Sequence, residues 1–323
     1  MTDGGFRLFI LDDYQKVAHA FADWDSLGNG SNVTFIHYRI TDPDELVELL
    51  TVADGVVAMR ERTDFPRHVL ERLPRLRLLV TTGSTNAGID MVAASQLGIT
   101  VCGTGSLPGP VVELTWALIL GLVRGVTTDS AAIRAGGWQT LVGGDVSGHT
   151  LGVLGPGRIG SGVIAVGRAF GMSVTAWSPN LTAERARAMN VQFSPSLPAL
   201  LERTDVLTVH LRLTPLSRGL IGARELNSLP SGAYFVNTAR AAIADESALL
   251  AALDSGHLAG AALDVFGEEP LPVDSPIRHH AKILATSHMG YVSQANYREF
   301  YGQALQDVIA FLSGRPIRVL GSK

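Results

Sequence analysis

The sequence predicts an α/β chain built on two doubly wound parallel sheets. Three observations predict it. Short apolar runs alternate with stretches of helical spacing along the chain, the pattern of strands joined by helical crossovers. The alternation runs twice, and a Gly/Pro-rich stretch, Gly103–Pro110, separates the two series as a hinge would. The second series opens on Leu151-Gly-Val-Leu-Gly-Pro-Gly-Arg-Ile-Gly160, followed by a helix-like stretch to Gly171 and an apolar run from Met172 to Trp177. That succession is a βαβ unit with a glycine turn at its first crossover.

The first series has candidate strands at Leu8–Leu11, Val33–His37, Gly55–Met59, Leu76–Thr81 and Ile99–Cys102, with helical spacing at Asp44–Leu50 and Arg67–Leu73. After the hinge, Val111–Val126 is strongly apolar but carries Glu113 and Arg124. It is too short to span a bilayer and reads as a buried or interface helix over about 111–125. The second series places strands at Leu151–Leu154, Ser173–Trp177, Val206–His210, Ala233–Asn237, Ala259–Val265 and Ile283–Thr286, and a final helix over Ala295–Leu312.

Composition narrows the function. At 323 residues the chain can bury one large core or two smaller ones. It is 46% hydrophobic and 17% charged, with a net charge of −4. That balance leaves no basic footprint for nucleic acid or an anionic membrane. One cysteine, Cys102, allows no internal disulfide and no thiolate zinc cluster, and points to a reducing, cytoplasmic compartment. The N-terminus lacks the charged-then-apolar pattern of a signal peptide. No Gly-x-Ser-x-Gly, Walker loop or His-Glu-x-x-His occurs, and His279-His280 has no companion at metal-ligand spacing, so no metal is expected.

What the chain does offer is Gly155-x-Gly157-x-x-Gly160 between a strand and a helix. The first glycine permits a tight turn, the second lets backbone approach a pyrophosphate, and the third allows close helix–strand packing. The N–H groups around Arg158 and Ile159 then face phosphate at a helix N-terminus. Such a turn predicts a dinucleotide. About 20 residues on, where an acid would hold an NAD ribose, stands Ala176-Trp-Ser178-Pro-Asn180 with no acid; the nearest basic residues are Arg185 and Arg187. Ser178 can bond either ribose, so the reading is NAD with NADP left open.

Three polar residues follow predicted strands: Arg240 after Val236-Asn-Thr-Ala, Glu269 in Asp264-Val-Phe-Gly-Glu-Glu-Pro270, and His288 in Thr286-Ser-His-Met-Gly290. In parallel sheets that edge is where ligands bind. Taken singly each could be structural. Together they are the set that reduces a 2-keto acid: arginine for the carboxylate, histidine for the proton, and glutamate to orient the imidazole.

These motifs resemble the D-isomer-specific 2-hydroxyacid dehydrogenase family, and the resemblance runs from Leu11-Asp-Asp-Tyr-Gln15 to the C-terminal helix. It implies a Rossmann-type cofactor domain over 103–290 and a discontinuous, flavodoxin-like substrate domain over 1–102 and 291–323, with a cleft between them that closes on hinges near Gly103–Pro110 and Met289–Tyr291. It implies Arg240, Glu269 and His288 as catalytic residues, and Asp264 near the nicotinamide amide. It implies N–H groups of Gly83 and Ser84, in Thr81-Thr-Gly-Ser-Thr-Asn-Ala-Gly-Ile-Asp90, as a substrate carboxylate site. Arg60, just after a strand of the first series, is a further substrate candidate, and side chains around Arg60, Ser84–Asn86 and Tyr291 would set specificity. It also implies a homodimer through the 111–125 helix and the loop after Trp138.

Two positions depart from the family pattern: Ser287 where proline is usual, and Ala241 where glycine is common. Glu269 favours a 2-hydroxyacid enzyme over formate oxidation, since formate dehydrogenases of this superfamily carry glutamine there. The alternatives are an NADH-sensing, corepressor-like protein, and a phosphoglycerate dehydrogenase without the regulatory domain for which a chain ending at Lys323 leaves no room.

Overall fold

The computed structural model describes residues Gly5–Gly321. It divides into two units, one running to Leu107 and resuming at Val292, the other Pro108–Tyr291.

The first unit holds strands β1 (Phe6–Ile10), β2 (Ser31–Phe35), β3 (Gly55–Ala58), β4 (Leu78–Thr81) and β5 (Thr100–Gly103). They form one parallel sheet in the order β2-β1-β3-β4-β5. β3 and β4 are buried at every residue, as strands covered on both faces must be. The chain leaves β1 on one side and returns on the other. The switch point therefore lies between β1 and β3, whose carboxyl ends lead into Asp12 and Arg60.

The helix Pro43–Leu50 starts where the Asp42 carboxylate accepts the Asp44 N–H at 2.9 Å, and buries Leu46, Val47 and Leu50. The helix Gln294–Leu312 starts at Ser293, which caps Asn296 N, and buries Tyr297, Phe300, Tyr301, Ala304, Leu305 and Val308. Residues 103–107, which the sequence reading grouped with the second domain, are tied to this helix and the tail after it. Gly103 N donates to Arg318 O at 3.1 Å, Gly105 N to Gln303 Oε1 at 2.7 Å and Leu107 N to Asn296 Oδ1 at 2.8 Å.

The second unit holds β6 (Thr150–Leu154), β7 (Ser173–Trp177), β8 (Gln192–Phe193), β9 (Val206–Val209), β10 (Ala233–Asn237), β11 (Leu258–Leu263) and β12 (Ile283–Ala285). They form a parallel sheet in the order β12-β11-β10-β9-β6-β7-β8. Its switch point lies between β6 and β9. The two-residue β8 has no counterpart among the strands read from sequence, being too short for any periodicity. The helix after β6 runs Arg158–Ala169, beginning three residues before the expected Ser161, directly off the glycine turn.

The apolar helix Gly109–Val123 belongs to this core and buries Thr115, Trp116, Leu118, Ile119, Gly121 and Val123. Trp116 Nε1 donates to Val163 O at 3.2 Å. A β-carbon at Gly167 would stand 2.8 Å from Leu151 and 3.2 Å from Trp116, so glycine there lets two helices and a strand pack closely. The helix stops before the expected residue 125 because Gly125 turns left-handed at φ +64°. A second helix, Val126–Arg134, leaves at 64° with no buried residue. Among the described residues no single helix is long and apolar enough to cross a membrane.

Candidate functional site

In the second unit the parallel register sends the carboxyl ends of β6, β9, β10, β11 and β12 to one edge of the sheet. The residues singled out in the sequence follow those ends. The glycine turn leaves β6. Gly155 sits at φ +90°, and a β-carbon on it would lie 2.9 Å from the backbone of His210 and Leu211 after β9. A β-carbon at Gly160 would overlap the Gly155 carbonyl oxygen. A β-carbon at Gly157 would meet nothing within 4 Å. The turn is thus crowded where it packs on the sheet and open at Gly157, where backbone precedes the N-terminus of the twelve-residue helix Arg158–Ala169. That is the shape a pyrophosphate needs, and these residues fit a dinucleotide. Ser178 follows β7, half-buried. Arg185 Nη1 donates to Asn180 O at 3.1 Å on the exposed loop after β7.

His288 and Glu269 meet. Nδ1 of His288 lies 2.6 Å from Oε2 of Glu269, and the Phe266 N–H donates to Oε1 at 2.9 Å. His288 itself is left-handed, at φ +53°, an uncommon backbone for a side-chain-bearing residue and one that clusters at functional sites. Asp264 holds it there. The Asp264 carboxylate accepts from Thr286 Oγ1 at 2.6 Å, Met289 N at 2.8 Å and Gly290 N at 2.8 Å, bracketing His288 on both sides. Burial pushes the Asp264 carboxyl above the usual range, and those three donors oppose the shift. The described hydrogen bonds of Asp264, which is 1% exposed, all run to the His288 loop.

Arg240 follows β10, one strand from β11. Its carbonyl accepts from Asn237 Nδ2 at 3.0 Å, and its Nη1 donates to Ala239 O at 2.8 Å. Tyr291 packs edge-on to His288, ring centres 5.6 Å apart. His210, after β9, is held neutral: burial pushes its imidazole down to about 3, and Nε2 lies 2.9 Å from Thr208 Oγ1. Among the described residues no group of three His, Cys, Asp or Glu side chains could hold a metal.

The first unit carries the remaining candidates on its own sheet edge. Gly83 follows β4 at φ +97°. Its N–H donates to the Thr104 hydroxyl at 2.7 Å, so it is already committed, contrary to the expectation that it binds substrate. What favours glycine here is that positive φ, and the Arg60 guanidinium lies so close that a β-carbon at Gly83 would meet its Nη1. Arg60, at φ +55° after β3, is therefore laid against the turn that contains Ser84. Sequence reasoning had no means of finding Thr82 or Thr104, whose hydroxyls bond backbone here; only their place beside the turn reveals them.

Residues 116–290 match the D-isomer specific 2-hydroxyacid dehydrogenase NAD binding domain. The chain is 37% identical over 257 residues to a glyoxylate reductase of Aeropyrum pernix, covering 76% of each chain. It is 36% identical over 250 residues to a D-3-phosphoglycerate dehydrogenase of Methanocaldococcus jannaschii, covering 76% of this chain but 47% of that one. A crystal structure of a phosphoglycerate oxidoreductase from Vibrio cholerae superposes with a TM-score of 0.91 at 30% identity, over 96% of this chain and 99% of the other.

Proposed function

The chain belongs to the D-isomer-specific 2-hydroxyacid dehydrogenase family, and from that premise we propose that it interconverts a small 2-keto acid and the D-2-hydroxy acid, with His288 as acid/base. It is an NAD-dependent dehydrogenase of that family. The observation that carries the assignment of roles is the 2.6 Å contact of His288 with Glu269 on the sheet edge that also carries the glycine turn. Bound NADH supplies the hydride equivalent for carbonyl reduction. Gly155, Gly157 and Gly160 would shape its seat, and the N–H groups of Arg158 and Ile159 at the helix N-terminus would hold its phosphates.

With Nδ1 bonded to the carboxylate, His288 presents Nε2 as the nitrogen that exchanges a proton with the substrate oxygen. Glu269 holds the ring and balances its charge when protonated. Arg240 supplies a guanidinium for the substrate carboxylate and for charge developing on oxygen. In the first unit, the Ser84 backbone and Arg60 offer a second anion seat. Gly83 shapes that seat and is left out as a donor.

The homodimer belongs to the same proposal. Val126, Ile133, Trp138 and Val142 are 56%, 48%, 77% and 101% exposed within one short stretch of the second unit. Exposed apolar side chains so close along the chain support an interaction surface here, and the proposal takes a second copy of the chain as its occupant. The buried, unpaired Cys102 thiol supports a reducing, cytoplasmic location.

The test is the initial rate of reduced-nicotinamide loss with NADH or NADPH against glyoxylate, hydroxypyruvate, pyruvate, phenylpyruvate, 2-ketoisocaproate and 3-phosphohydroxypyruvate. Turnover with NADH and any of these is the expected result. Tight NADH binding with no turnover across a wide 2-keto acid panel would overturn it in favour of a sensor.

A further inference from the structure

We propose that Thr82 and Asn86 are positioning residues that aim the Arg60 guanidinium, an inference resting on the reading that Arg60 belongs to the substrate seat. Arg60 stands at the switch point of the first sheet in a left-handed conformation, φ +55°, which a side-chain-bearing residue holds only when its surroundings impose it. The surroundings are on both sides of the residue. Its N–H donates to Thr82 Oγ1 at 3.0 Å, and its carbonyl accepts from Asn86 Nδ2 at 2.6 Å.

Each of the two is itself locked. The Thr82 hydroxyl, once it accepts from Arg60, points its own proton to Met59 Sδ at 3.2 Å, and the residue is fully buried. The second Asn86 N–H goes to Thr81 Oγ1 at 2.9 Å, and Asn86 Oδ1 accepts from Gly88 N at 2.8 Å. A carbonyl and a backbone N–H as partners admit only one orientation of the amide. Asn86 is 8% exposed. It therefore acts on specificity through Arg60, rather than as a side chain presented to substrate.

The consequence is preorganisation. An arginine side chain loses much rotamer freedom when it is ordered on a ligand. A backbone fixed at both ends sets the direction in which that side chain leaves, and the guanidinium, laid against Gly83 and 3.7 Å from the Glu61 carboxylate, has part of that freedom removed before substrate arrives. Such a contribution is made equally to ground state and transition state, so it appears in KM rather than kcat.

The experiment uses the full chain and two readouts: steady-state kinetics with glyoxylate and NADH, and calorimetric binding of oxamate to the NADH-loaded protein. The variants are Thr82→Val, Thr82→Ser, Asn86→Ala, Arg60→Ala and the Arg60→Ala/Asn86→Ala pair. NADH affinity and circular dichroism confirm folding, and Thr82→Val carries the test if Asn86→Ala does not fold. Asn86→Ala and Thr82→Val are expected to raise KM and the oxamate Kd roughly ten-fold, the loss of one hydrogen bond, with kcat within about two-fold. Thr82→Ser stays near wild type. The double variant is no worse than Arg60→Ala, because the two act through one group.

Unchanged KM and Kd in Asn86→Ala and Thr82→Val, with both raised in Arg60→Ala, overturn this inference alone. So does an Asn86→Ala effect that adds in full to that of Arg60→Ala. A silent Arg60→Ala removes Arg60 from the seat and the inference with it. Absence of turnover, with oxamate affinity still dependent on Arg60 and Asn86, overturns the dehydrogenase reading and supports the positioning role.

Discussion

Nδ1 of His288 and Oε2 of Glu269 stand 2.6 Å apart, and the remaining oxygen of that carboxylate is occupied by the Phe266 N–H at 2.9 Å. The imidazole thus has one nitrogen fixed by the protein and one to offer. His288→Ala is expected to lower kcat by about 10²–10⁴-fold while leaving the NADH Kd unchanged, since the glycine turn lies on a different strand. Glu269→Gln keeps the shape and loses the charge; a fall in kcat of roughly ten-fold or more is expected. Full activity in either variant, measured by initial rates, would remove the pair from the mechanism.

The glycine turn separates binding from folding. Gly157→Ala places a methyl in open space, so the protein should melt as wild type does while NADH affinity falls, by about ten-fold for one displaced phosphate contact. Gly160→Ala drives a methyl into the Gly155 carbonyl and should cost both stability and affinity, on the order of 1–3 kcal/mol. Thermal melts alongside fluorescence titration with NADH tell the two apart. Equal stability losses in both variants would contradict the geometry.

Asp264 carries the backbone of the His288 loop through three donors. Asp264→Ala leaves them without an acceptor at a buried site, and about 3 kcal/mol of stability should be lost in urea titration. kcat should fall too, since the left-handed turn at His288 loses its brace. An active enzyme with unchanged urea midpoint would show that the loop holds itself.

A pH test falls on Asp307. It is fully buried; Oδ1 accepts from Arg318 Nε at 2.9 Å, while Oδ2 is buried without a hydrogen-bond partner. Burial pushes the carboxyl up to about 6, against the opposing pull of Arg318. A raised folded value means the native state holds the proton longer than the unfolded chain. The group's contribution is present below pH 4 and is lost as pH rises through 6. Relative to wild type, Asp307→Asn should therefore gain stability from pH 4 to pH 6 and hold a constant difference above about pH 7. Urea midpoints at each pH check this; a difference moving the other way contradicts the sign.

The exposed apolar side chains of Trp138 and Val142 give a prediction about assembly. Trp138→Glu with Val142→Glu should convert a dimer to a monomer in sedimentation equilibrium, with NADH binding retained. A monomeric wild type, or a dimer indifferent to both charges, would move the contact elsewhere.

Much of the fold was readable because parallel strands covered on both faces must be apolar throughout. β4 and β9 announce themselves as Leu78-Leu-Val-Thr81 and Val206-Leu-Thr-Val209, each buried at every residue. Glycine was equally legible at Gly155, where a motif names the turn. β8 was not, for want of length, and neither was the allegiance of residues 103–107, which depends on bonds to Gln303 and Asn296 nearly two hundred residues away.

The site divides in the same way. By itself the sequence determined the chemical inventory: a glycine turn for a dinucleotide, and an arginine, a glutamate and a histidine each just past a strand. Those are local facts, set by residue type and by the period of the flanking strand. Only the tertiary structure decided which atoms meet. It joined His288 to Glu269, turned Asp264 into the brace of a loop, spent the Gly83 N–H on Thr104, and laid Arg60 against Gly83. Each of these is a contact between side chain or backbone groups from separate crossovers. A hydrogen bond depends on distance and direction, which strand register and backbone sign set and which no spacing along the chain encodes.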